Sequence, residues 1–199
     1  MAKAAWLKVS PSQGSGNGSI AFSADAYTGR TARSTSATVS ATGVDPKTVN
    51  VTQAAKAEFV IIQDAASAPK AGGTVEISGT SNSTKLTFTL GTGALKIILP
   101  QKYTANGSEA TNDTAISGDP GASAQYMFSV SVTVPLNATT GPLTREIIVT
   151  DAGSHKRTCV LTQAAGDPTL TLSTDTVNLT TAGTAVSVEV TSNTSWTVS

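Results

Sequence analysis

The chain has 199 residues, of which 13% are charged and 5% aromatic, and Lys plus Arg equals Asp plus Glu. No net field therefore steers it onto nucleic acid or an anionic membrane, and its one cysteine, Cys159, excludes an internal disulfide. Thr, Ser, Ala, Val and Gly dominate, a composition that predicts exposed β-structure rather than amphipathic helices.

The chain opens on MAKAAWLKVSP, which has no apolar core of about 7 to 15 residues before a cleavage site, as a secretory signal would. Nor is there a run of about 20 apolar residues for a membrane span. The expectation is a protein made in a cytoplasm that leaves it, if at all, without a cleaved signal. Alternation and β-branched content then place strands at Ile20 to Ala24, Ala37 to Ala41, Thr48 to Thr52, Phe59 to Ile62, Thr74 to Ser78 and Leu86 to Leu90. Further strands are expected at Lys96 to Leu99, Tyr126 to Val134, Arg145 to Thr150, Thr158 to Thr162, Leu170 to Leu172 and Ala185 to Val190. Many short strands punctuated by Gly, Asn and Pro predict antiparallel sandwiches.

The chain repeats itself. V-N-V-T-Q-A-A at Val49 to Ala55 returns as C-V-L-T-Q-A-A at Cys159 to Ala165, 110 positions on, and the same shift maps Val39 onto Val149 and Gly43 onto Gly153. A whole hairpin therefore recurs. A-G-G-T-V-E-I-S-G-T-S-N-S-T-K-L at Ala71 to Leu86 is echoed at Thr181 to Trp196, about 110 positions on. A-W-L-K-V-S-P at Ala5 to Pro11, followed by Asn17 and Gly18, is echoed at Ala94 to Pro100, followed by Asn106 and Gly107, a shift of only 89. The change of register predicts an insertion in the middle unit between Ser108 and Ser123.

S-N-T-S-W-T-V-S at the end of the chain, together with W-L-K-V-S-P-S-Q-G-S-G-N-G, the Arg30 to Arg33 region and V-N-V-T-Q-A-A at its start, resembles the BACON domain. That domain is an immunoglobulin-like β-sandwich of Bacteroidetes proteins and crAss-like phages. The resemblance implies an all-β fold of tandem immunoglobulin-like (BACON-like) antiparallel sandwiches, one of them split between the two chain ends. In the family the S-N-x-S-W strand precedes W-L-x-V-S-P, whereas here it follows. Residues 1–55 then read as the C-terminal part of a split sandwich and 56–167 as a complete sandwich with an inserted loop near 108–123. Residues 168–199 read as N-terminal strands completing residues 1–55 of the same or a neighbouring chain. The middle unit departs from the family, with Leu86 and Leu95 in place of both tryptophans.

A connection of a few residues, Ala164 to Pro168, reaches about 3.3 to 3.6 Å per residue, and a domain of strands about 6 residues long spans roughly 20 Å. Completion by a neighbouring copy is therefore favoured over an intramolecular circular permutation. A chain cut at residue 199, or one that continues beyond it, would look the same. The implied function is a non-enzymatic structural protein of a phage virion, a head decoration, auxiliary capsid or fibre component, partnered by itself and a major capsid protein. The alternative is a carbohydrate-binding or spacer module of a secreted or cell-surface Bacteroidetes protein, with a surface glycan as partner.

Candidate chemistry is thin, and no cofactor, metal or catalytic set is assigned. Trp6 and Trp196 are possible glycan platforms or core aromatics, and the alternation W-L-K-V and W-T-V favours the core. His155, beside Lys156 and Arg157, reads as a solvated hairpin tip with no triad partner by spacing. Cys159 reads as a small buried apolar residue. Asp113 and Asp119, in N-D-T-A-I-S-G-D-P-G, lack the dense oxygen-ligand spacing of a calcium loop.

Overall fold

A computed structural model describes residues 3–199. Among the described residues the regular elements are strands and one 3-10 turn at Pro120–Ala122, and no helix is long and apolar enough to cross a membrane. In chain order the strands are β1 (Lys8–Ser10), β2 (Ala21–Ser23), β3 (Arg33–Val39), β4 (Lys47–Gln53), β5 (Val60–Ile62), β6 (Ala65–Ala68), β7 (Gly73–Ser81) and β8 (Leu86–Leu90). They continue with β9 (Lys102–Ala105), β10 (Ser108–Thr111), β11 (Tyr126–Val134), β12 (Leu143–Asp151), β13 (Lys156–Gln163), β14 (Leu170–Leu172) and β15 (Val190–Ser192).

Nine of these strands form two sheets, one in the order β10-β9-β11-β7-β5 and one in the order β6-β13-β12-β8. The pleat places alternate side chains on opposite faces. In β11, Tyr126, Phe128, Val130, Val132 and Val134 accordingly point inward while Met127 is exposed. From the facing sheet Leu86, Phe88, Ile147, Val149, Cys159 and Leu161 complete the core. Phe88 meets Tyr103 and Phe128 edge to face, with centroids 5.0 and 5.8 Å apart, the arrangement that ring quadrupoles favour. All residues of this core cluster lie between Val60 and Leu161.

The two long strands of the first sheet fix its length. β11 runs antiparallel to β7 over nine residues, with Tyr126 opposite Ser81 and Val134 opposite Gly73. At about 3.3 Å per residue the sheet is roughly 30 Å from pole to pole. Gln63 and Asp64 carry the chain from β5 in one sheet to β6 in the other, where β6 pairs in parallel with β13.

Several boundaries differ from expectation. Lys96 to Leu99 is not a strand and makes only an isolated bridge, Ile98 to Thr133. β9 pairs with β11 at a different point, through Phe128 opposite Ala105, and Pro100, which follows the segment, has no N–H to extend its pairing. The expected loop near 108–123 begins with β10, which closes a hairpin with β9 through Asn106 and Gly107. Both turn residues have positive φ, 51° and 76°, as a two-residue hairpin turn requires. The alanine-rich β6 escapes a reading by propensity. The stretch from Ala185 to Glu189 is not a strand; its counterpart in β7 is paired along its length by β11, and it has no such neighbour.

The remaining strands form three separate two-stranded sheets, β1-β2, β3-β4 and β14-β15. Such pairs are marginal in water unless something covers them. Replacing Ile147 by Ala should lower the unfolding free energy by about 2–5 kcal/mol, whereas Leu170→Ala, at an exposed site, should change it by no more than about 0.5 kcal/mol. Urea titration of the two variants checks the contrast.

Candidate interaction surface

The hairpin β3-β4 repeats β12-β13 residue for residue. Arg33 faces Gln53, Ala37 faces Val49 and Val39 faces Lys47; 110 positions on, Leu143 faces Gln163, Ile147 faces Cys159 and Val149 faces Arg157. The shared motif also shares a hydrogen bond. The Gln53 amide donates to the Asp25 carbonyl at 2.8 Å, and that of Gln163 to Pro135, the equivalent position, at 2.6 Å. Burial differs. Val149 and Cys159 are fully buried, while Val39 and Val49 are 42% and 37% exposed. In the complete sandwich β8 lies along the outer edge of β12 and β6 along that of β13, but β3 and β4 have no such neighbours among the described residues.

The C-terminal pair β14-β15 likewise repeats β5-β7. Leu170 faces Ser192 and Leu172 faces Val190, as Val60 faces Ser81 and Ile62 faces Gly79. Val60 and Ile62 are buried, whereas Leu172 is 55% exposed and Leu170 similar. Val186, Trp196 and Val198 are exposed as well. Each end of the chain thus presents half of the strands that the middle unit assembles, with their apolar faces open.

Two asparagines join these pieces to the sandwich. Asn82 is fully buried; its Oδ1 accepts from Phe59 N at 2.9 Å and its Nδ2 donates to the carbonyls of Thr28 at 2.9 Å and Ala57 at 3.2 Å. Ser81 Oγ donates to Phe59 O at 2.7 Å. At the opposite pole Asn193 Oδ1 accepts from Thr169 N at 2.8 Å, its Nδ2 donates to Ala138 O at 2.8 Å and Asp167 O at 2.9 Å, and Ser192 Oγ donates to Thr169 O at 2.8 Å. Every partner is displaced by 110 or 111 positions from the first joint to the second. A side-chain amide suits this place because it both donates and accepts.

The first joint carries an additional brace. Arg30 donates from Nε to Asn82 O at 2.5 Å, pairs with Asp119, and approaches Glu58 at 3.7 Å. The 3-10 turn of the insertion adds two backbone bonds, from Arg30 N to Gly121 O at 3.0 Å and from Thr31 N to Ala122 O at 2.9 Å. A Cβ on Gly121 would stand 1.9 Å from Asn82 O, so only glycine fits there. The expected inserted loop is thus a contact to the N-terminal unit.

Of the candidate residues, Trp6 is half-buried and Trp196 is 50% exposed, and neither belongs to the core cluster; Leu86 and Leu95, their counterparts in the middle unit, are fully buried. Trp6 stacks on the Arg33 guanidinium at 4.6 Å, and Tyr27 covers the same cation at 4.2 Å. Sequence reasoning missed this stack, along with Leu7, a buried hydrophobic residue of the N-terminal unit. It also assigned no role to Asn82 or Asn193, although the repeated T-S-N marks both. His155 Nδ1 lies 2.9 Å from Asp151 Oδ2 in the β12-β13 turn. Asp113 is held by Lys85 at 2.7 Å and Thr87 at 2.8 Å, which keeps its carboxyl below the usual range. Burial, reinforced by the Asp64 charge, pushes the Cys159 thiol up. Among the described residues no group of three or more His, Cys, Asp or Glu could hold a metal ion.

Asn82→Ala would strand buried backbone groups and should cost about 1–3 kcal/mol, while the half-buried Asn193 should cost less on the same change; thermal unfolding of the two variants measures the difference. Cys159 should resist a thiol reagent in native buffer and react fully in denaturant, as read by absorbance.

Residues 1–54 match the family described as BACON, "Putative binding domain, N-terminal". No curated protein matches. Among solved structures, the chain is similar to the NMR structure of a protein from Bacteroides thetaiotaomicron, at 12% identity and a TM-score of 0.29, covering 55% of this chain and 90% of that one. It is also similar to an endo-fucoidan hydrolase of glycoside hydrolase family 107, at 11% identity and a TM-score of 0.34, covering 82% of this chain but 22% of the other. The match to the BACON family thus spans the first 54 residues of this all-β chain, and the hairpin β3-β4 within them recurs in the same register as β12-β13.

Proposed function

We propose that the chain is a non-enzymatic structural building block of a phage virion, a head-decoration, auxiliary-capsid or fibre component, that assembles by exchange of terminal β-strands. On this reading residues 56–167 are a complete sandwich, and residues 168–199 complete residues 1–55 of a neighbouring copy. The observation that carries it is the contrast between equivalent positions: Val149 and Cys159 are sealed in a core, while Val39 and Val49 are open. An uncovered apolar face beside an unpaired strand edge is a template for another strand. A contact between different surfaces at opposite poles is heterologous, and propagates as a ring or a filament. The partners are further copies and a major capsid protein. The virion setting is proposed on the resemblance to domains of crAss-like phages.

A second reading, a carbohydrate-binding or spacer module of a secreted Bacteroidetes protein, draws on the same resemblance and on the exposed Trp196 indole. An open tryptophan face can stack on a sugar ring. The two readings separate in solution. The full chain should form concentration-dependent assemblies by light scattering that vanish when residues 168–199 are removed; a compact monomer at all concentrations would refute strand exchange. A glycan array on which Trp196→Ala folds but loses binding would favour the second reading.

A further inference from the structure

We infer that the N-terminal unit holds three strand slots of defined register, and that the occupant of all three is residues 177–198 of a second copy of this chain. This inference rests on the strand-exchange reading and specifies its geometry. The complete sandwich supplies the template, because both halves of the split unit repeat it.

The first slot lies along β2. In the complete sandwich Val132 faces Val75 and Val130 faces Ile77. Their counterparts pair Phe22 with Val186 and Ile20 with Val188. The second slot runs parallel to β4. There Leu161 lies beside Ala66 and Gln163 beside Ala68, which sets Val51 beside Val177 and Gln53 beside Leu179. The third slot is the outer edge of β3. Val149 faces Phe88 and Asp151 faces Leu86; because the step from Asn193 to Trp196 is one residue shorter than that from Asn82 to Leu86, this sets Val39 opposite Val198 and Ala41 opposite Trp196. Apolar meets apolar in all but the Gln53 pair, and a slip of one residue would turn every side chain to the wrong face.

Size agrees with register. Trp196 takes the place of the smaller Leu86, and Ala41 that of the larger Asp151. An open hollow at the tip of the β3-β4 hairpin, lined by Val39, Ala41, Gly43 and Val44 together with Asp45 and Lys47, adjoins Ala41 and leaves room for the indole. The occupant is a second copy because the two joints sit at opposite poles. Asn82 follows the Ser81 end of β7, and Asn193 is bonded to Ala138 and Asp167 beyond the Val134 end of β11. A chain would have to cross roughly 30 Å of its own sandwich to reach its own slots, yet Asn193 and Ser192 pin the segment at the far pole.

The test is disulfide trapping in the full chain, with the buried Cys159 left in place. Mixing V39C chains with V198C chains should give a covalent dimer on a non-reducing gel, and the V39C/V198C double variant should give a ladder of multimers. F22C with V186C should do the same in the other sheet and serves as the second probe should either first variant misfold. V39C with T197C, one residue out of register, should link at least tenfold less. Equal linking by that pair overturns the register. A double variant that closes only on itself overturns the second copy as occupant. Assemblies that persist by light scattering without either disulfide overturn the slots but leave strand exchange standing, whereas monomers without disulfides overturn both.

Discussion

A sandwich is stable only when each sheet covers the apolar face of the other, and the whole molecule turns on where that condition is met. Between Val60 and Leu161 it is met: both sheets are present, and residues such as Ile77, Leu86 and Ile147 are fully enclosed. Burying each such side chain is worth about 1.5–3 kcal/mol. Outside that interval the same local sequences make the same strand pairs in the same register, and their inner faces stay open. Local pairing in β3-β4 and β14-β15 is therefore set by the turns and by short-range side-chain bonds. Closure is a separate, long-range condition.

The asparagine joints convert that condition into a mechanical one. Each ties the end of one unit to the start of the next through a side chain that satisfies backbone groups on both sides. The chain enters and leaves the sandwich in a similar way at its two poles. The joints are not identical. Arg30, braced by Asp119 and the insertion's 3-10 turn, has Thr140 as its counterpart in the second joint. A hydroxyl there cannot span to a carboxylate, so the second joint lacks this charged brace.

Much of this organisation is legible in the residues because the chain contains its own comparison. T-Q-A-A marks the strand whose glutamine reaches back to a fixed carbonyl, and T-S-N marks each joint. Strands with clean alternation, such as Tyr126–Val134, were placed to the residue. What escaped was decided by partners distant in sequence. β6 is alanine-rich and becomes a strand only because β13 offers it an edge. Lys96 to Leu99 alternates but meets β11 only through Ile98 opposite Thr133. Trp6 and Trp196 carry a core-like pattern, yet a pattern states which face is apolar and is silent on whether anything covers it.

The placing of the tryptophans bears on specificity. The middle unit, whose two halves are covalently joined, fills these positions with Leu86 and Leu95. The equivalent positions outside it, residues 6 and 196, are both tryptophan. Association between molecules carries an entropic cost of about 4–15 kcal/mol that folding within one chain does not, so on the strand-exchange reading the proposed split unit would need the larger apolar groups. The same difference guards against misassembly. Within the middle unit Asp151, bonded to His155, stands opposite the fully buried Leu86. On the strand-exchange reading, Trp196 of an incoming segment would be accepted beside the small Ala41 and disfavoured beside the larger, charged Asp151. A segment that matched both units in hydrogen-bond register would then be sorted between them by the volume of one side-chain pair.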